Sequence, residues 1–218
     1  MNFKREFQEY LKNQDVNSIL DCFAENQALA SRTLQIYVYG IPSDVIHWRA
    51  IDYMGIAAGK FAPENDELFR NVIRRYIWHM NEEGGNVPWV SGEIIGSIIS
   101  HVDGLQFREF IGPWFYHVDL NEMCYSGLYW ALPRMMRYHE KQTLEFVPNT
   151  WYWFDKFDFP DMRAYAALFY KDYPYPEMVA HMCKWIDDER TTWIYNNGQV
   201  SEITVAACAR RALAEIDA

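Results

Sequence analysis

Apolar positions along most of this chain recur three and four residues apart, the spacing of one face of an α-helix, and alternate only near its end. Phe3, Phe7, Tyr10 and Leu11 fall at i, i+4, i+7 and i+8, which predicts an amphipathic first helix. A second helix is expected over 16–25, with Asn17 as its cap and Ile19, Leu20 and Phe23 inward, and a third over 28–39, closed by Gly40 and Pro42. Helices and breakers then alternate over 44–60, 64–80, 88–101, 105–117, 121–138, 140–154, 161–171 and 175–187. Gly59, Pro63, Gly84-Gly85, Gly104, Pro160, Pro174 and Pro176 mark the turns. The pattern then changes: strand-type residues in Thr191–Tyr195 and Gln199–Thr204 flank Asn196-Asn197-Gly198, which predicts a β-hairpin. An Ala-rich helix from Val205 to Ile216 follows.

The middle helices repeat. Trp48-Arg49-Ala50-Ile51-Asp52-Tyr53-Met54-Gly55 aligns with the segment from Trp89 to Gly96, then with Cys124 to Ala131 and Asp161 to Leu168. The small residues Ala50, Ser91, Ser126 and Ala164 are separated by 41, 35 and 38 residues, and Gly55, Gly96 and Ala131 each lie five further on. Small side chains at fixed spacing let helices approach closely, and a repeat of this length buries its apolar face only by stacking on its neighbours. The expected fold class is therefore all-α: a short right-handed α-α superhelix with a C-terminal β-hairpin and capping helix. One domain is expected over 1–218, with N-terminal helices over 1–43, the repeat core over 44–187 and the hairpin and last helix over 188–218.

Composition supports a folded chain: 50% of the 218 residues are hydrophobic and 17% aromatic, enough apolar surface to offset the entropy of ordering. The net charge of −10 argues against a nucleic-acid partner, whose binding rests on Lys and Arg replacing phosphate counterions. Arg74-Arg75, Arg134/Arg137 and Arg210-Arg211 are short basic pairs and make no extended patch. The four cysteines, Cys22, Cys124, Cys183 and Cys208, are widely spaced without a CxxC pair and are expected as buried or half-buried thiols in a reducing compartment. The charged, amphipathic start and the lack of an apolar run near 20 residues predict no signal peptide and no membrane span, hence a cytoplasmic protein.

No motif of high specificity for catalysis occurs. HExxH, GxSxG, SxxK, GxxxxGK[ST] and GxGxxG are all absent, and the six histidines are scattered. No metal and no cofactor are expected. Two constellations remain. Asn81, Glu82 and Glu83 stand where a helix should end, so the carboxylates meet the unfavourable end of the helix dipole. They either receive a basic partner, a hard cation or a neighbouring arginine, or serve as caps across the repeat junction. His79 beside them is the best-placed acid–base candidate. Glu93 is the sharper residue, one turn into a helix otherwise built of Gly, Ile, Ser and Val, with Asp52 at the equivalent place in the preceding copy. Glu93, Asp52, Arg49 and Arg163 either form a polar cluster walled by Trp48, Trp89, Tyr53, Tyr125 and Tyr129, or Arg49 pairs with Glu93 or Asp52 to lock adjacent repeats. The aromatic segment from Phe146 to Phe159 is expected chiefly as core, with part of it exposed.

The repeat length and the Trp-Arg-Ala pattern with its following Gly55 resemble HEAT repeats, of the type also found in phycobilisome-lyase-like repeat proteins. The stretch from Ile77 to Gly85, with Trp89 and Glu93-Ile94-Ile95-Gly96, resembles a little-characterised group of bacterial HEAT-like proteins patterned W-x-x-N-[DE]-E-S-G-G, then W and E-x-[IL]-G. This chain lacks the Ser before the Gly pair, so its loop is one residue shorter. The resemblance spans 45–216 and implies a fold without implying an activity. HEAT-like folds carry both binding surfaces and enzymes, among them DNA glycosylases and bilin lyases. The expected function is a scaffold that binds a protein or peptide, basic in character, on a concave face. The alternative is an enzyme acting on a small ligand or nucleobase in a pocket with Glu93, Arg49 and His79. Aromatic surface would also suit a homo-oligomer.

Overall fold

The computed structural model describes residues 3–81, 89–103 and 106–216. Helix α1 (Phe3–Lys12) buries Phe7 and Leu11, as the spacing predicts. Helix α2 (Val16–Tyr37) starts from Asp15, whose carboxylate accepts the Ser18 N–H at 3.1 Å. Asp15 thus takes the capping place expected of Asn17. The two helices expected over 16–39 are one run interrupted at Asn26, whose backbone leaves the helical region and whose side chain caps Leu29 N–H. There follow α3 (Val45–Phe61), α4 (Asp66–His79), α5 (Ser91–Ser100) and α6 (Ile111–Asp119). Helix α7 (Tyr125–Phe146) absorbs the first part of the expected 140–154 element, with a break at His139 marking the expected boundary. The short α8 (Trp153–Lys156), then α9 (Pro160–Tyr170) and α10 (Pro176–Trp185), lead to strands β1 (Thr191–Asn196) and β2 (Gln199–Thr204) and to α11 (Val205–Ile216).

The protein is mostly helical, ending in a two-stranded antiparallel hairpin and a final helix. The hairpin turns at Asn197 and Gly198, both with positive φ (50° and 79°), the backbone a type I′ turn requires, and Thr191 pairs with Thr204. Helices α3, α5, α7, α9 and α11 pack in that order, each on the next.

The small residues act at these junctions. A Cβ on Gly55 would strike Ser97 and His101, one on Gly96 would strike Ala131, and one on Gly92 would lie 2.7 Å from the Cys124 carbonyl. The close α3–α5 and α5–α7 approaches therefore depend on missing side chains. Around them Trp114, Trp130, Trp153, Tyr76 and Tyr129 are fully buried. In the aromatic segment Trp153 and Phe154 are core, Trp151, Phe157 and Phe159 are half-buried, and Tyr152 is exposed. Buried His139 donates from Nε2 toward the carbonyls of Ile99 and Val102 (3.1 and 3.2 Å), capping the end of α5. None of the four cysteines is in a disulfide; Cys124 and Cys208 are buried, Cys22 half-buried and, against expectation, Cys183 exposed. Among the described residues no helix is long and apolar enough to cross a membrane.

Candidate functional site

Glu93 sits in the first turn of α5, where every residue from Ser91 to Ser100 is buried. Only 2% of it is exposed, and its Oε2 has no hydrogen-bond partner among the described residues. The carboxyl group presses on the backbone of Gly127 in α7, where a Cβ would strike both Cδ and Oε2. Glycine at 127 is thus the condition for an acid at 93. Burial pushes the Glu93 carboxyl up to about 8; its own backbone N–H pulls the other way, and the neighbouring Asp161 adds to the rise. At neutral pH the group holds its proton.

Glu93 lines a cavity of about 190 Å³. Trp48 of α3, Trp89 just before α5, Tyr165 of α9 and Trp193 of β1 wall it, and Pro42, Met123, Ser126, Asp161, Thr191 and Thr192 complete the lining. Among the described residues no Lys, Arg or His contributes. The walls are fixed from behind. Trp48 Nε1 donates to the Pro42 carbonyl at 2.8 Å, and its ring lies parallel to that of Tyr195 at 5.5 Å. The Trp89 ring lies 4.9 Å from that of His47, which burial holds neutral with its pKa near 4. Tyr165 accepts the backbone N–H of Tyr195 at 2.9 Å, so α9 and the hairpin are locked together at the pocket. Asp161 sits in the first turn of α9 and accepts the Met162 N–H at 3.0 Å. The cavity is a cage of three indoles and a phenol carrying two carboxyl groups.

No protein-family model, curated protein or solved structure matches the chain.

The geometry divides the expected site residues into groups. Trp48, Trp89 and Glu93 come together as expected. Arg49 does not join them and pairs with neither Glu93 nor Asp52. Its guanidinium, 6% exposed, donates to the carbonyls of Leu11 (2.8 Å), Lys12 (2.8 Å) and Gly198 (2.9 and 3.1 Å). It therefore ties the end of α1 to the hairpin turn, donating to carbonyls of the last turn of α1, where the intrahelical ladder ends. Asp52 accepts the Tyr195 hydroxyl at 3.1 Å and faces a different cavity. Tyr129 is core, its hydroxyl bonded to Thr150 (2.7 Å) and Tyr170 (3.1 Å). Tyr125 is also buried, stacked on Trp153 at 3.8 Å, and Tyr53 is buried without lining the cage. Arg163 forms ion pairs with Asp158 and Asp188, both at 2.9 Å.

At the corner, Asn81 bonds the Ile77 carbonyl of its own helix at 2.8 Å, capping α4 and not a neighbour. The tie across to α6 comes from Asn121, whose amide reaches the carbonyls of Met80 (3.0 Å) and His117 (2.7 Å). His79 lies at the end of α4, against the rings of Tyr76 and Trp78, and does not line the Glu93 cavity. Glu82 and Glu83 lie outside the described residues. Among those described, no three His, Cys, Asp or Glu side chains gather in a way that could hold a metal ion.

Sequence reasoning missed Asp161, Thr191, Thr192 and Trp193 as pocket residues. Asp161 opens the fourth repeat copy, which was a usable signal. Trp193 carried none beyond its type, because the hairpin reads equally well as a terminal cap.

Proposed function

We propose that this chain is a binding protein whose cage around Glu93 takes the cationic head of a lysine or arginine side chain from a basic peptide. The observation that carries the reading is the buried Glu93 Oε2, without a hydrogen-bond partner among the described residues, in a pocket of three tryptophans whose described lining has no basic side chain. Aromatic faces attract ammonium and guanidinium groups, the more so once both are out of water. A cation between Glu93 and Asp161 would relieve their mutual repulsion and supply the missing partner. About 190 Å³ suits one side-chain head and not a larger cofactor. The net charge of −10 would favour approach of a basic partner. The same proposal takes the helical core as a HEAT-like right-handed superhelix, in line with the repeat spacing and the ordered packing of α3, α5, α7 and α9.

Because Glu93 must release its proton to meet a cation, affinity should rise with pH below about 8 and level off above it. Titration of Trp fluorescence with n-butylguanidine and with short Lys- or Arg-containing peptides, between pH 6 and 9, tests this. Glu93→Gln should weaken binding and flatten the pH profile. Equal binding of a norleucine-containing peptide would exclude recognition of charge.

A second reading rests on the proton that Glu93 retains. A neutral carboxylic acid at Glu93 with a second acid, Asp161, in the same lining is the arrangement of a general acid and its companion, so an enzyme acting on a small ligand is the alternative. In that reading Glu93 and Asp161 replace the expected Arg49 and His79. Turnover lost in Glu93→Gln but with ligand binding retained would favour it.

A further inference from the structure

Another cavity, of about 240 Å³, lies between α3, α5 and α7, lined by Asp52, Ser100, His101, Pro133, Arg134 and Arg137. It shares no lining residue with the aromatic cage and has the opposite electrostatic character. We propose that it is a binding site for a small oxyanion, a carboxylate or a phosphate, held by Arg134 and Arg137.

Arg134 is prepared for such a ligand. Its guanidinium carbon stands 3.9 Å over the ring of buried Trp130, and one nitrogen donates to the Trp130 carbonyl at 2.8 Å. Stacking and this one bond fix the planar fork while the other N–H groups find no acceptor among the described residues. Every ion pair among those residues is made by other basic groups, so neither Arg134 nor Arg137 has a described carboxylate within 4.0 Å. In a chain of net charge −10, a half-buried arginine without a carboxylate stands out. Enclosure draws its pKa below the usual guanidinium value, with Asp52, Tyr165 and Tyr195 acting against that fall. A bound anion would repay this cost, and a guanidinium fork matches two oxygens of a carboxylate or phosphate.

The remaining groups refine the ligand. His101 Nδ1 donates to the Ser97 carbonyl at 2.8 Å, and the Ser100 hydroxyl donates to the same carbonyl at 3.1 Å, so both face the cavity already oriented. Asp52 is held by the Tyr195 hydroxyl and stays beyond ion-pair distance of the arginines. An oxyanion with a hydroxyl donor beside it would satisfy both ends, the oxygens on the arginines and the donor on Asp52.

Isothermal titration of the whole chain with acetate, lactate and inorganic phosphate, at constant ionic strength in chloride, tests the assignment. Saturable binding is expected for lactate or phosphate. Arg137 is exposed and tied to no carboxylate among the described residues, so Arg137→Gln should fold normally and bind roughly tenfold more weakly. Arg134→Gln should abolish binding, and Asp52→Asn should erase any preference for lactate over acetate. Lactate saturating and phosphate not would identify a carboxylate site; the reverse would identify a phosphate site. No saturable binding by the unaltered chain, or affinity unchanged in Arg137→Gln, would overturn the proposal. Neither result bears on the cage, whose lining holds none of these residues.

Discussion

Arg49 and Glu93 are charged residue types buried on neighbouring helices, α3 and α5, and the fold treats them in opposite ways. Around Arg49, four hydrogen bonds to the carbonyls of Leu11, Lys12 and Gly198 bring distant parts of the chain together. Around Glu93, a carboxyl oxygen is left without a partner among the described residues, and a cavity walled by Trp48, Trp89 and Trp193 opens beside it. A buried charge that is fully bonded is part of the architecture. An ionisable group that is held out of water and left incomplete costs stability, and the incomplete partnership marks where a ligand would be received.

The largest expected effect breaks the architectural half of the comparison. Arg49→Met would take the arginine donor from two buried carbonyls and a part-buried one and should destabilise the fold by about 3–5 kcal/mol. Urea denaturation would show it as a lower midpoint. Loss of less than about 1 kcal/mol would mean that the clamp contributes no more than a surface contact.

Glu93→Gln should act in the other direction. The folded acid keeps its proton up to about pH 8, whereas the unfolded one releases it near 4.5. The native chain therefore binds more protons than the unfolded chain between those values, and stability falls as pH rises through that interval. The amide has no proton to lose, so the substituted protein should lack this decline and be the more stable of the two at pH 8, by roughly 2–4 kcal/mol. Parallel pH–stability curves for the two proteins would remove the claim that Glu93 is held in an unfavourable state.

Gly127→Ala sharpens the comparison by touching Glu93 without changing its charge. The added methyl would run into the carboxyl group and its helix, costing about 1–3 kcal/mol through overpacking and distorting the cage. Thermal unfolding and cation titration should both be affected; an unchanged melting temperature would place slack where the structure has contact.

The smallest effect is expected at the Arg163, Arg190, Asp158 and Asp188 network, where charges are paired closer to solvent. Arg190 first, with Arg163 adding to it, holds the Asp188 carboxyl down at about 2. That contribution is present above the usual carboxylate pKa near 3.9 and is lost as pH falls through about 2. Asp188→Asn should cost on the order of 1–2 kcal/mol at neutral pH and little at pH 2, as guanidinium unfolding at the two pH values would show.

How far the sequence discloses these features follows from where their partners lie. Asn197-Gly198 announces the hairpin because only certain residues tolerate that backbone, and the helical spacing places α1, α3, α9 and α11 to within a residue or two. Glu93 is visible as one acid in an apolar helix. The saturation of Arg49 is invisible, since its partners are backbone carbonyls 38 and 149 residues away, identical in every sequence. Trp193 joins Glu93 only through packing of β1, which no local pattern encodes, whereas Asp161 is marked only by its place in the fourth repeat copy. The kink at Asn26 and the cap at Asp15 show the same limit on a smaller scale, because several neighbouring polar residues could each serve.

The central claim is that Glu93 is a buried acid waiting for a cation. Selective ¹³C labelling of glutamate δ-carbons and an NMR titration with and without n-butylguanidine would test it directly. One resonance should titrate near pH 8 in the free protein, disappear in Glu93→Gln, and move to lower pH when the guanidine saturates the cage. A Glu93 resonance that titrates near 4.5, or one that the cation leaves unmoved, would contradict the account.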